Sequence, residues 1–445
     1  MSNTSVLKQF SRFVSLNILG MIGFSCYVLA DTYYISQAVG PDGLTALNFC
    51  LPVFSLMSGC GMMLGIGGAT RYSINKRSEG DGGDNTALFH SLVWGAAASV
   101  LFLIAAIFFV TPISRVLGAD DTILPLTEKY MKTILWFGPL FIFNNIILAF
   151  VRNDDDPKLS MVSMLISSFS NIVLDYIFMF PLGMGIFGAA LATGFSPLIS
   201  LVIMLTHFRK KNNHLHFTPV RINFTESRQI AAYGFSAFIG ELASAITLIT
   251  FNLVILKIAG NIGVAAYGIV ANIALVATAV FTGMSQGIQP LASEWFGMRD
   301  SAKIKRLLLI SLISALSLAV IIYLTIFSTR SIIVSAFNNE NNQMLSAYAE
   351  RGINIYFAGY FFAGFNIIAA AFLSAIAHPK AAFLISMLRS CVVIIPAVFL
   401  LSALLKLDGV YLSFIVTEFI VFLFSALYLF KTFKNMEHII GNKNI

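Results

Sequence analysis

Charge is scarce in this chain. Only 11% of its 445 residues are Asp, Glu, Lys or Arg, against about 25% in a soluble globular domain, which excludes an ordinary water-soluble fold. Cysteine is nearly absent. Cys26, Cys50, Cys60 and Cys391 all fall in apolar stretches without metal-ligand spacing, so they read as packing residues, and neither a disulfide framework nor a zinc site is supported. No paired-histidine metal motif occurs, and His214 and His216 in a basic loop are too few to make one. No Ser or Cys nucleophile stands beside a base in a membrane setting, so no enzyme and no organic cofactor is read. The opening "MSNTSVLKQFSRF" leads into an apolar segment without a small-residue cleavage site, and an uncleaved first helix is expected.

What fills the chain is apolar. Hydrophobic residues make up 58%, and the mean hydropathy is +0.84. The fold class is an all-α polytopic membrane protein, long enough for twelve crossings of ~20 residues. Apolar runs place the helices near 12–36, 45–70, 86–111, 126–150, 159–180, 186–207, 230–256, 264–288, 307–328, 346–373, 383–404 and 410–430. With the N-terminus inside, the cytoplasmic segments carry 20 of the 28 Lys and Arg and the outer ones 7. This bias sets both termini in the cytoplasm. It also accounts for the net charge of +7 without a nucleic-acid partner.

A repeat divides the chain. "GPDGLTALN" (40–48) resembles "GNIGVAAYG" (260–268), "GIGGATRYS" (65–73) stands where "GIQPLASEW" (287–295) does, Asp156-Pro157-Lys158 matches His378-Pro379-Lys380, and "GIFGAALAT" (185–193) sits opposite "LDGVYLSFI" (407–415). The offset stays at 220–222 residues. The expected organisation is an N-lobe over 1–207, a cytoplasmic inter-lobe loop over 208–229 and a C-lobe over 230–445. Each lobe is a six-helix bundle, and the two form a pseudo-symmetric parallel repeat.

Acidic residues inside apolar segments are the main functional signal. Asp175 lies in "NIVLDYIFMFPLGMGIFGAALAT", Asn171 is one helical turn before it, and Asp31 is the only acidic residue of the first apolar segment. A carboxylate at mid-bilayer costs roughly 2.5–3.5 kcal/mol and usually faces a partner or water. Two carboxylates and an Asn suit a cation site; the other reading is a polar contact between helices. At the repeat offset the counterparts of Asp175 and Asn171 are Ala397 and Val393, so the second half does not copy this group.

Several segments resemble the multidrug and toxic compound extrusion (MATE) transporters, in the bacterial drug-exporting branch with NorM-like, DinF-like and MepA-like members. They are "ADTYYISQAVGPDGLTALN", "MMLGIGGATRYS", "FVRNDDDPKLSMVSMLISSFSNIVLDYIFMFPLGMGIFGAALAT", "GMSQGIQPLASEWFGMRD", "FNIIAAAFLSAIAHPKAAFLISMLRS" and "LDGVYLSF". The resemblance implies two six-helix bundles in a V shape in the bacterial cytoplasmic membrane. It also implies a monomeric antiporter that exports organic cations and amphipathic drugs in exchange for Na⁺ or H⁺. Its cation site carries over onto Asp31, Asn171, Asp175 and Thr193, which would hold Na⁺ if that is the ion. Tyr27, Asn144 and Met164 resemble drug contacts. Glu241 could match a seventh-helix Glu of a C-lobe site, or be a structural contact; Asn366 is the polar residue available beside it on the tenth helix. Some relatives have a proline in the first helix, where this chain has Gly20 and Gly23. A lipid or lipid-linked oligosaccharide flippase of the same superfamily is the alternative, disfavoured by intramembrane charges that are mostly acidic.

Other signals carry plainer expectations. Gln289-Pro290 is expected to end a helix near the inner surface, at a hinge or gate. Asp154, Asp155 and Asp156 read as a solvated turn, Glu418 as structural, and Arg389 as an anchor that snorkels.

Overall fold

A computed structural model describes residues 3–78, 85–211, 213–337 and 342–435. Its helices are α1 (Asn3–Ala38), α2 (Pro41–Ser78), α3 (Thr86–Phe108), α4 (Val110–Val116), α5 (Leu124–Trp136), α6 (Gly138–Asn153), α7 (Pro157–Met179), α8 (Ile186–Leu205), α9 (Phe224–Gly297), α10 (Ser301–Phe337), α11 (Gln343–Tyr356), α12 (Tyr360–Ala375), α13 (Pro379–Met387) and α14 (Ile394–Lys434). No strand occurs among the described residues. Lipid offers backbone groups no hydrogen bonds, so a chain this apolar satisfies them inside helices.

Several helices hold more than one crossing, and some crossings hold two helices. α9 breaks at Gly260, and α14 breaks at Lys406. α5 and α6 form one span bent by 46°. The 56-residue stretch Pro379–Lys434 would be about 84 Å long at 1.5 Å per residue, so it holds two crossings of ~30 Å. With it divided at Lys406, the described residues make twelve spans.

The backbone carries the internal repeat more sharply than the side chains do. Left-handed residues recur in pairs: Gly40 (φ 85°) with Gly260 (φ 62°), Asp155 (φ 64°) with Ala377 (φ 62°), and Gly185 (φ 57°) with Lys406 (φ 53°). The pairs are 220, 222 and 221 residues apart. The bend before Gly138 recurs as the 3₁₀ turn Phe357–Gly359 between α11 and α12.

The chain packs as two compact units, one of Ser15–Leu242 and one of Ala243–Ile445 with Met1–Val14. In the first, α2 meets the start of α9 backbone to backbone. A Cβ on Gly234 would come within 1.8 Å of the Met63 carbonyl oxygen, and one on Gly67 within 1.9 Å of that of Ile230. Only glycine fits either position.

Gln289-Pro290 does not end its helix. α9 runs on to Gly297 with Pro290 inside it. Proline frees the carbonyl four residues back and strains the turn, yet packing holds the helix together. Gly287 lies against Phe13 and Val14, where a Cβ would meet Val14 Cα at 2.7 Å, and Ser293 Oγ donates to the Gln289 carbonyl at 2.9 Å.

The triple-Asp turn also differs from expectation. Asp155 is exposed, but Asp154 is buried in the first unit. Its Oδ1 accepts from Tyr72 Oη at 2.8 Å and Lys76 Nζ at 2.7 Å, and its Oδ2 from the His214 backbone N–H at 2.9 Å. His207 presents Nε2 to Asp154 at 2.9 Å and Nδ1 to Asp156 at 3.1 Å, an arrangement that only the imidazolium satisfies with both nitrogens donating. Lys210 Nζ reaches Asp156 at 2.5 Å. The turn thus fastens α2, α7 and the end of α8 to the segment after them.

These donors hold the carboxyls of Asp154 and Asp156 below the ordinary carboxylate range, against the opposing effect of burial. A depressed carboxyl supplies stability that is present above its unfolded pKa of about 4 and is lost as pH falls through the folded value. Thermal stability in detergent should therefore be flat with respect to these groups above pH ~5 and should fall below pH ~4. Asp154→Asn should cost about 3–5 kcal/mol, the scale of breaking a buried ion pair. Asp155→Asn should cost under about 1 kcal/mol, because its carboxylate is a surface partner. Equal melting temperatures for the two variants would contradict the assignment.

Candidate functional site

The first unit gathers the acidic group. α1 and α7 approach closely because α1 carries Gly20 and Gly23 on the shared face: a Cβ at Gly20 would stand 3.1 Å from Met164 Sδ, and one at Gly23 2.5 Å from Leu165 Cδ2. This packing places Asp31 and Asp175 in mutual electrostatic range. Asp31 is 6% exposed, Thr193 4%, and Asn171 and Asp175 0%.

Asn171 links the members of the group. With its amide oriented by its neighbours, Nδ2 donates to Asp175 Oδ2 at 3.1 Å and Oδ1 accepts from the Thr193 backbone N–H at 3.2 Å. The amide thus orients one carboxylate and ties α7 to α8. It is committed to protein partners at both ends, so its first role here is positioning. Asp31 Oδ1 and Asp175 Oδ1 are buried and have no hydrogen-bond partner. Neither carboxylate joins an ion pair among the described residues. Two negative oxygens in a low-dielectric interior repel one another, and a small cation or a proton shared between them would relieve the repulsion. The donor set is all oxygen, which suits a hard cation. No group of three or more His, Cys, Asp or Glu side chains placed to hold a metal ion occurs among the described residues.

The other expected residues divide between the units. Tyr27 is buried on α1 within electrostatic range of Asp31, Asp175 and Glu241. Glu241 therefore faces the same interior as the carboxylate pair. Met164 packs on Gly20, and the buried Asn144 Oδ1 has no partner. Asn366 lies in the other unit, fully buried, with Nδ2 donating to the Glu418 carboxylate at 2.7 Å. Gln289 and Pro290 are also in that second unit and buried.

One neighbour escaped the sequence reading. Tyr130 on α5 is buried beside Thr193, in range of both Asp31 and Asp175. It stands in the first half of a bent span, and nothing in its local sequence marks it. The half-repeat gives no help, because position 351 is an Arg.

The MatE family model matches residues 17–177 and 237–400. The chain belongs to the MATE family. Its members are multidrug efflux transporters that cross the membrane many times. This MATE protein is 24% identical over 417 residues to the multidrug export protein MepA of Staphylococcus saprophyticus, covering 93% of this chain and 91% of the relative. It is 25% identical to MepA of Staphylococcus aureus strain MRSA252, with the same coverage. Its fold matches an outward-facing multidrug resistance MATE transporter of the MOP superfamily with a TM-score of 0.90 at 21% identity, over 98% of this chain and 99% of that one. A MOP superfamily transporter from Pyrococcus furiosus, described as having a binding pocket of reverse polarity, matches with a TM-score of 0.86 at 22% identity, over 96% and 97%.

Asn171→Ala would leave Asp175 Oδ2 and the Thr193 N–H without their shared partner. A buried polar group left unsatisfied costs about 1–3 kcal/mol. The variant MATE protein should melt measurably lower in detergent at pH 7, whereas Asn171→Asp, which keeps an acceptor for the Thr193 N–H, should recover part of the loss at low pH. A wild-type melting temperature for Asn171→Ala would show that the amide bridge does not hold the group.

Proposed function

We propose that this MATE protein is a cation-coupled antiporter of the bacterial cytoplasmic membrane that exports organic cations and amphipathic drugs by alternating access. One observation carries the reading: Asp31 and Asp175 are buried together, each with an oxygen lacking a partner, and among the described residues no Lys or Arg pairs with either. The family's transport role and the relatives named as multidrug export proteins support the same direction.

The coupling ion is Na⁺ or H⁺. It enters the group of Asp31, Asn171, Asp175 and Thr193 from outside and cancels the repulsion between the carboxylates. Because Asn171 ties Asp175 to Thr193 within α8, a change in charge at Asp175 acts on α1, α7 and α8 together. A ligand shifts a conformational equilibrium only by its differential affinity for the two states. The ion must therefore bind the drug-releasing state more tightly. Tyr27, Asn144, Met164 and Glu241 supply an aromatic face, an amide oxygen, a thioether and a carboxylate on the cargo side, a set that suits flat organic cations. Asn366 is engaged with Glu418 and serves the second unit's packing. Gln289 and Pro290 lie where Gly287 bears on α1, a place at which a shift of the first helix is felt in α9. An acidic interior favours cationic cargo over the pyrophosphate of a lipid-linked sugar.

Inside-out vesicles give the test. A cationic dye should accumulate when a Na⁺ gradient or a pH gradient is imposed, and the effective gradient identifies the ion. Asp175→Asn should lower the rate at least tenfold at near-normal protein abundance. Full dye transport by that variant, or lipid translocation without dye transport, would overturn the reading.

A further inference from the structure

The second unit holds a charged centre of its own. Glu418 on α14 is buried, and its carboxylate is closed on every side. Arg389 Nε reaches Oε1 and Oε2 at 3.0 Å each, an Arg389 terminal nitrogen reaches Oε1 at 2.8 Å, and Asn366 Nδ2 reaches Oε2 at 2.7 Å. Asn366 Nδ2 also donates to the Glu418 backbone carbonyl at 2.9 Å, which leaves Asn366 Oδ1 buried without a partner. Tyr356 and Tyr360 are the other titratable groups in electrostatic range of the pair. Arg389 rises from the π-helical turn Leu388–Val392, a local irregularity common where a side chain must be re-aimed. The guanidinium turns inward to Glu418 and does not snorkel.

The repeat shows what this centre replaces. At an offset of 222, Arg389 and Asn366 correspond to Ser167 and Asn144, and at the 221 of Gly185 and Lys406, Glu418 corresponds to Pro197, next to Ser196. Ser167 and Ser196 meet as well, Oγ to Oγ at 2.7 Å. The same pair of helices is thus joined by two neutral hydroxyls in one unit and by an ion pair in the other. A buried carboxylate with an amide oxygen beside it is the chemistry of a small-cation site. Here the cation is part of the chain.

We infer that Glu418 and Asn366 form a latent monovalent-cation site that Arg389 fills as a tethered counter-ion, closing the second unit to ion exchange. Removing the guanidinium leaves a buried carboxylate without compensation, and Na⁺ or a proton takes its place. The number of ions exchanged per cycle is then set by the first unit alone. The inference rests on reading Asp31 and Asp175 as the exchangeable group.

The test counts monovalent cations bound per chain. It uses the purified full chain in lipid nanodiscs, with radiolabelled Na⁺ for sodium and an indicator dye for protons. Arg389→Gln should bind one more cation than the parent. Arg389→Lys, which keeps the tethered charge, should bind the parent number, and so should Arg389→Gln combined with Glu418→Gln. A folded Arg389→Gln variant that binds only the parent number overturns the inference. If that variant fails to accumulate, Glu418→Gln decides. The parent number should survive it, since Glu418 exchanges nothing in the native chain, and a loss of one cation overturns the inference. Asp175→Asn separates the two readings. If it leaves the parent number unchanged, the first unit's role fails, whereas a gain in Arg389→Gln still supports the latent site.

Discussion

A carboxylate taken into hydrocarbon must find its compensation nearby, because water is not there to provide it. That constraint organises both units. In the first, Asp31 and Asp175 stand in mutual electrostatic range, Asn171 bridges Asp175 to Thr193, and neither carboxylate joins an ion pair among the described residues. In the second, Glu418 is answered in full by Arg389 and Asn366. In the turn between α6 and α7, Asp154 is answered by Lys76, His207 and Tyr72. Four buried acids in three groups meet three different fates, and Asp31 and Asp175 are the ones left with a carboxylate oxygen that has no partner.

The frame around these acids is a repeat in backbone geometry. Left-handed turns, the bent fifth span and its 3₁₀ counterpart recur at nearly constant spacing. The side chains do not. The counterpart of Asp175 is Ala397, that of Asn171 is Val393, and where one unit joins Ser167 to Ser196 the other joins Arg389 to Glu418. Function is written as departures from a common scaffold, and the positions where the halves disagree are the ones to probe.

Much of this was legible before any coordinates. Twelve crossings follow from hydropathy because lipid imposes helix on every apolar run of sufficient length. The grouping of Asp31, Asn171, Asp175 and Thr193 was reachable because a charge in an apolar segment is conspicuous, while Thr193 itself needed a family pattern. What escaped depended on partners distant in sequence. Pro290 looked like a helix end because its missing N–H is local, whereas the contact of Gly287 with Val14 that carries the helix past it is not. Asp154 looked solvated because turns usually are; its partners come from positions 72, 76, 207 and 214. Arg389 and Glu418 are 29 residues apart, and neither betrays the other. Tyr130 had no mark at all.

Lys406 shows how the scaffold is kept. It adopts φ 53°, ψ −128° where its counterpart Gly185 adopts φ 57°, ψ −137°. A side chain in that region is strained by about 1–3 kcal/mol. The turn is therefore imposed by the helices on either side and not by the preference of the residue within it. A turn shaped from outside in this way can tolerate drift in its own sequence while its backbone keeps the same dihedral course.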